Sequence, residues 1–465
     1  MSTVNKKIFT DEEWKKITED PDTIFCPAPF NSYYIHPNGG LGACCVHKSG
    51  STQGLDVIEG NDNEAIVKAY NSESFKKLRK DFLEGVKNPE CHYCWKGQAV
   101  GTHTMREAML DWMHKWGVSE SVRNSINEDY SITEPEIHYL DARLDNNCNL
   151  KCRSCGPEYS TTWYPESLEL REMNVIGPNF NLPELKRFYE ASVDVKALEK
   201  NIPTLRRIYF AGGEPLIMPQ HYQILDLFLE HGMTDIDIFY NTNFSKLSQG
   251  RYDAIEYWKK FKNIQVTASL DGNHARAEYA RKNLSWAKVI ENRQRMLDEV
   301  PHIKFFLGPT LSIYTAYNIV DFHREWVELG FIKPWEIIVN SLYGPEHLAI
   351  SNLPDHHKQR LIKLYHDHID WLEGFRTDAS QFMPNDQLNR TQDQSVVLDR
   401  VIQSFHAAIN QLKIPAVENK NIKVLWGKEM WLDKKRGEDL FAVFPEYADM
   451  KEQWTQPWLA VAKPF

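Results

Sequence analysis

An α/β fold, built on a parallel sheet or barrel, is what this sequence predicts, and three observations carry the expectation. Six strand-like runs alternate with helical stretches between residues 136 and 344. Glycine- and asparagine-rich motifs close several of those runs, where strand–helix architectures place their chemistry. A loop with three cysteines follows the first run, at the same end.

The strand-like runs are EIHYLDARLDN (136–146), RRIYFAGGEP (core 207–215), DIDIFYNTNF (235–244), NIQVTASLDG (263–272), HIKFFLGPTL (302–311) and WEIIVNSLYG (335–344). Between the second and third lies PQHYQILDLFLEHG. Pro219 suits a first helical position and Gly232 a terminator. Tyr222, Leu225, Phe228 and Leu229 recur on one face of that helix. Upstream, Met105, Met109, Trp112, Met113 and Trp116 repeat at helical spacing, which reads as a helix packing on the sheet. After residue 346, LPDHHKQRLIKLYHDHIDWLEGF is an amphipathic helix, and PNDQLNRTQDQS (384–395) reads as a loop. The division expected is residues 1–130, 131–345 and 346–465, the last mostly helical.

The chain has 465 residues, 42% hydrophobic and 25% charged, enough for large buried cores. Its formal net charge of −10 argues against a nucleic-acid backbone as main partner, which needs a basic face. No apolar run approaches the roughly 18 residues of a membrane span, and the N-terminus lacks the apolar core of a signal peptide. A cytoplasmic protein without membrane or nucleic-acid partners is expected. Clustered thiols there read as metal ligands or reactive groups, not disulfides.

All eight cysteines fall between Cys26 and Cys155. Cys148, Cys152 and Cys155 form C-x3-C-x2-C, and the next residues, GPEYSTTWYPES, offer neither Cys nor His. Three thiolates on one loop suit a cubane iron–sulfur cluster with one iron left open. A zinc site completed from elsewhere is the alternative at this point. The stretch CNLKCRSC resembles the cluster loop of the radical S-adenosylmethionine (SAM) superfamily, with Ser154 where its members often carry an aromatic residue.

That resemblance implies a partial (β/α)6 TIM-type barrel, a [4Fe–4S] cluster and S-adenosylmethionine. It implies reductive cleavage to a 5′-deoxyadenosyl radical that abstracts a substrate hydrogen, with an external electron donor such as flavodoxin or ferredoxin. AGGEP is similar to the family's GGEP-type motif, so Gly212, Gly213 and Glu214 are implied to hold the methionyl amine. Asn241 and Asn243, in YNTNF, are implied at the cofactor's carboxylate or ribose. Ser269 and Asp271, in SLDG, resemble positions near the ribose and methionyl carboxylate, although an Asp–Gly turn explains Asp271 equally well.

Cys26, Gly39 and Cys44 form C-x12-G-x4-C, and CHYC follows at Cys91 and Cys94. HPNGG reads as a hairpin turn that returns Cys44 toward Cys26. This pattern resembles the auxiliary-cluster portion of twitch and SPASM domains, placed here N-terminal to the barrel. It implies one auxiliary [4Fe–4S] cluster on Cys26, Cys44, Cys91 and Cys94, with Cys45 spare. A four-thiolate zinc site uses similar spacings. A haem attachment motif does not fit, because Trp95 stands where His is required. The function expected is hydrogen abstraction to modify a peptide or protein. Oxidation of a small molecule, such as an amino sugar or nucleotide derivative, is the enzymatic alternative. A zinc-stapled interaction protein without activity is the other.

Overall fold

The computed structural model describes residues 9–20, 22–47, 55–60, 62–99, 104–172, 194–342, 344–376, 394–416 and 420–451. The predicted loop at 384–395 lies almost wholly outside them. The chain forms two compact units. One comprises Met1–Asn147, Pro183–Phe239 and Lys260–Asn263; the other comprises Cys148–Leu182, Tyr240–Lys259 and Ile264–Phe465.

The main sheet has eight strands: β1 (Ser32–Ile35), β2 (Gly40–Gly42), β3 (Asp56–Val57), β4 (Tyr139–Ala142), β5 (Arg207–Phe210), β6 (Asp237–Thr242), β7 (Asn263–Ala268) and β8 (Lys304–Leu307). Their order is β8-β7-β6-β5-β4-β1-β2-β3. The pairs β1–β4, β4–β5 and β7–β8 are parallel, while β2 and β3 add antiparallel. This is the α/β, partial-barrel class the sequence predicts, and the region beyond residue 346 is mainly helical, with long helices Asp355–Glu373, Gln394–Leu412 and Lys420–Arg436.

The N-terminal cysteine segment adds to the main sheet, where β1 lies parallel beside β4, with Tyr34 opposite Asp141. One feature differs from the expectation, in that the sixth run is not a full strand of the main sheet. Ile337 bridges Leu307, and Asn340–Ser341 pairs in parallel with Thr310–Leu311. Both pairings keep one register and are interrupted at Gly308–Pro309, because proline has no N–H for a ladder. Asn340 N instead donates to Pro309 O at 2.9 Å.

Helix Pro219–Glu230 forms as its pattern requires. Pro219 opens it, and Tyr222, Ile224, Leu225 and Phe228 are buried. Gly232 ends it at φ 68°. Helix Met105–Lys115 buries Met109 and Met113, and its Trp112 covers Tyr139 and the Arg207 guanidinium at 5.4 and 4.0 Å.

His221 on helix Pro219–Glu230 is buried against Phe210, at 4.7 Å. In the second unit His323 is buried 3.0 Å from His368. Burial holds His221 and His323 down to about 3, far below the ordinary histidine value. Both are neutral when folded and take up protons on unfolding below about pH 6.5. Their contribution is therefore complete above that pH and falls away as pH drops toward 3. At pH 5 each is expected to cost about 2 kcal/mol relative to pH 7. Urea midpoints at the two pH values check this, and His221→Phe should flatten the dependence.

Candidate metal centres

The first unit gathers four cysteines from three local structures. Cys26 precedes Pro27, which opens the short helix Ala28–Asn31 leading into β1. β1 and β2 then form the predicted hairpin. His36 N donates to Gly40 O at 2.8 Å, and Gly39 takes φ 79° in the turn. Asn38 Oδ1 accepts from Gly40 N, and it lies 2.9 Å from His36 Nδ1. Ser32 Oγ donates to both Ala28 O and Ala43 O at 2.8 Å, tying the start of the hairpin to its return just before Cys44.

The other pair comes from a turn. Asn88 caps the 3-10 turn Pro89–Cys91 through Glu90 N, and Trp95 Nε1 donates to Asn88 O at 2.7 Å. Cys91 ends that turn, and Cys94 lies in the first turn of helix His92–Ala99. Helix Glu73–Leu83 backs the assembly through Arg79, which is fully buried. Arg79 donates to Pro29 O and Tyr70 O at 2.7 Å, and to Tyr130 O and Asn71 Oδ1 at 3.1 Å. Its guanidinium also lies 4.3 Å from the Tyr70 ring centre.

The result is one pocket lined by Cys26, Cys44, Cys91 and Cys94, with His47, Phe82, Trp95 and Arg106 around them. Arg106 Nη1 donates to Phe25 O at 3.0 Å, which places a cation beside Cys26. His47 reaches the pocket, where it lies 3.5 Å from Glu90. Burial pushes the Cys26 thiol up to about 12, with Cys94 adding to the rise. Burial likewise raises Cys44, Cys91 and Cys45. Such thiols are neutral by themselves and release protons when a cation binds.

Among the described residues, His356, His357 and Asp449 bring three ligand-type donor atoms within 4.8 Å of one another, with Asp449 2.6 and 3.1 Å from the two histidines. The quartet offers four thiols around one pocket, a donor set that suits a cluster ligated at each corner by cysteine.

Cys45 adjoins Cys44 and is not among the residues that line the pocket. Its thiol lies beside the buried Asp141 of β4 and Arg143. Arg143 Nε lies 3.1 Å from Asp141 Oδ1 and its guanidinium 4.9 Å from the Tyr34 ring centre. Cys45→Ala is therefore expected to leave the iron content unchanged, as measured by iron and sulfide analysis. Loss of about four irons would make it a ligand.

The glycines of AGGEP lie against the chain that precedes the triplet. Gly212 holds φ 107°, and a Cβ there would lie 3.0 Å from Asp145 O. A Cβ on Gly213 would collide with Asn147 O and lie 2.7 Å from Asn146 C. The glycines admit the strand of chain that runs directly into Cys148. Gly213 N and Glu214 N donate to Asp145 O and Asn147 O at 3.1 and 2.8 Å. Glu214 is buried and accepts from Leu216 N at 3.1 Å. Gly213→Ala is expected to cost about 1–3 kcal/mol by overpacking and to lower iron retention, read by thermal unfolding and iron analysis.

In the second unit the triplet loop is braced on every side. Lys151–Cys152 pairs antiparallel with Arg281–Lys282. Arg281 Nη1 donates to Cys152 Sγ at 3.5 Å, and Arg281 Nη2 lies 2.9 Å from Asp271 Oδ2. Asp271 Oδ1 also accepts from Thr310 N at 2.9 Å. Asn243 Nδ2 contacts Cys148 Sγ at 3.7 Å and Asn149 Oδ1 at 3.1 Å. Trp163 Nε1 donates to Cys152 O at 3.0 Å. Burial pushes Cys155 up to about 12, with Cys152 adding to the rise.

Of the residues named from sequence in this unit, Asn243 meets the loop directly and Asp271 through Arg281. Asn241 is exposed and Ser269 half-buried, its N donating to Thr242 O at 2.7 Å. Arg281 and Trp163 were not legible, because neither sits at a fixed spacing from the cysteines.

Four thiols around one pocket form a donor set of the kind that holds a metal ion or an iron–sulfur cluster. Residues 26–95 match the SPASM iron–sulfur cluster-binding domain. The chain is also similar to three solved structures. One is native anSMEcpe with bound AdoMet and Cp18Cys peptide, at 14% identity over 52% of this chain and 61% of that one, TM-score 0.34. Another is Streptococcus suis SuiB bound to S-adenosylmethionine, at 13% identity over 72% and 71%, TM-score 0.31. The third is TYW1 with a lysine-pyruvate adduct, at 18% identity over 49% and 70%, TM-score 0.25. The matches to anSMEcpe take in about three-fifths of its length. No curated protein matches the chain. Among the described residues no helix is long and apolar enough to cross a membrane.

Proposed function

We propose that the chain is a radical SAM enzyme with two [4Fe–4S] clusters. Cys148, Cys152 and Cys155 hold the one that binds S-adenosylmethionine; Cys26, Cys44, Cys91 and Cys94 hold an auxiliary one. The observation that carries this reading is the division of the thiols. Four line one pocket, Cys45 lies beside Asp141 and outside that lining, and the remaining three share one loop. Cysteine arithmetic leaves the loop without a fourth thiolate, as an open iron requires.

When bound, the loop's cluster and S-adenosylmethionine supply one-electron cleavage and a hydrogen-abstracting 5′-deoxyadenosyl radical; the protein supplies position and charge. Asn243 and Arg281 donate toward the sulfurs of Cys148 and Cys152, which favours ligated thiolates. Asp271 holds Arg281 in place. Gly212 and Gly213 set the chain entering Cys148, and Glu214 is the acceptor assigned to the cofactor's amine. Asn241 and Ser269 are assigned to its polar groups.

The auxiliary domain spans 1–130, the barrel 131–345 and the extension 346–465. The full ligation of the quartet supports electron relay more than substrate binding. A peptide or protein is the preferred substrate, with flavodoxin or ferredoxin as donor, in the cytoplasm. Anaerobic reconstitution tests the reading through iron, sulfide and 5′-deoxyadenosine release under reduction. About eight irons with release supports two cubanes. Zinc without release sinks the proposal and favours a stapled interaction protein.

A further inference from the structure

In the second unit the triplet loop meets the C-terminal region most closely at one side chain. Arg153 lies between Cys152 and Cys155 and is 0% exposed. Its N donates to Ala280 O at 2.9 Å. Its guanidinium meets three carboxylates: Glu429 at 3.0 Å, Glu438 at 2.7 Å, and Asp433. It also lies 3.8 Å from the Tyr279 ring centre, and Tyr279 Oη donates to Asp433 at 2.8 Å.

These acids belong to helix Lys420–Arg436 and the turn after it. Glu429 is itself 0% exposed and is held by Tyr314 Oη at 2.6 Å and His347 Nε2 at 3.1 Å. The same helix reaches the loop twice more. Arg436 and Lys151 share Glu166, each at 2.7 Å. Leu432 packs with Leu170 and with Trp163, which donates to Cys152 O.

Burying a cation against several acids is costly, and removing one partner costs more. A surface-stapling role would not need that arrangement inside a loop of cluster ligands. We propose that helix Lys420–Arg436 locks the cluster loop, and that Arg153 is the positioning residue through which it fixes Cys152 and Cys155. The inference rests on the reading of the triplet as cluster ligands.

The test uses the full chain, reconstituted anaerobically, and its iron release to a chelator. The phase missing from the triple variant Cys148→Ala, Cys152→Ala, Cys155→Ala belongs to the triplet. In Arg153→Gln that phase should accelerate at least about tenfold, as expected when a buried pair is broken. The auxiliary phase should keep its rate. Amide exchange should rise at residues 150–156 and not in β1. Arg153→Lys, which keeps the charge and loses the planar fork, should fall between. Glu429→Gln gives the same comparison if Arg153→Gln does not fold.

A wild-type release rate in Arg153→Gln, or equal acceleration of both phases, overturns the lock. If the wild-type chain shows no triplet-dependent iron, the cluster reading falls instead. Amide exchange then decides the lock by itself, faster exchange at 150–156 supporting it and unchanged exchange overturning it.

Discussion

Replacing Cys148, Cys152 and Cys155 together by Ala is expected to abolish 5′-deoxyadenosine release and to remove about four of about eight irons. The two thiol sets have separate supports. The quartet is built wholly from residues 26–94, held by the hairpin at 32–42, the cap at Asn88 and the Arg79 brace. The loop is held by Asn243, Arg281 and Trp163. Removing the loop thiols leaves every support of the quartet in place, so its iron should remain. Loss of all iron would show that the two sites are not independent. Retention of cofactor cleavage would end the assignment of the triplet.

Arg79→Ala is expected to be the most damaging single substitution outside the cysteines. Three backbone carbonyls, Pro29 O, Tyr70 O and Tyr130 O, lose the guanidinium as donor inside the first unit, and Asn71 Oδ1 keeps only Ile132 N. Each buried acceptor left unsatisfied costs about 1–3 kcal/mol, and the Tyr70 contact is lost besides. A total of at least about 3–5 kcal/mol would consume much of a domain's stability of about 5–15 kcal/mol. Because Pro29 follows Cys26 by three residues, auxiliary iron should be lost with it. Thermal unfolding and iron analysis check both. A Tm within a degree of wild type would show that water replaces the guanidinium.

Much of the candidate site was legible because metal ligation is local. Three thiols in eight residues, a C-x12-G-x4-C hairpin and a CxxC turn announce themselves by spacing, and the hairpin formed as HPNGG required. The helix at 219–230 was legible for the same reason: its period, first proline and terminal glycine lie within fourteen residues. The AGGEP glycines stand out in the sequence, but not the chain they lie against. What they accommodate is the chain at 145–147, some sixty-six residues earlier.

The sequence by itself determined the parallel α/β class, the helix at 219–230 and the spacing of the thiols. Those properties follow from periodicity and from ligand spacing along a short stretch of backbone. Only the tertiary structure decided that β1 joins the sheet beside β4, that Cys45 lies beside Asp141, and that Arg281 meets Cys152 129 residues away. The same holds for Arg153 and Glu429, separated by 276 residues. A buried arginine and a surface arginine are the same letter. Which one a chain holds depends on where distant carboxylates arrive, and no local pattern encodes that arrival.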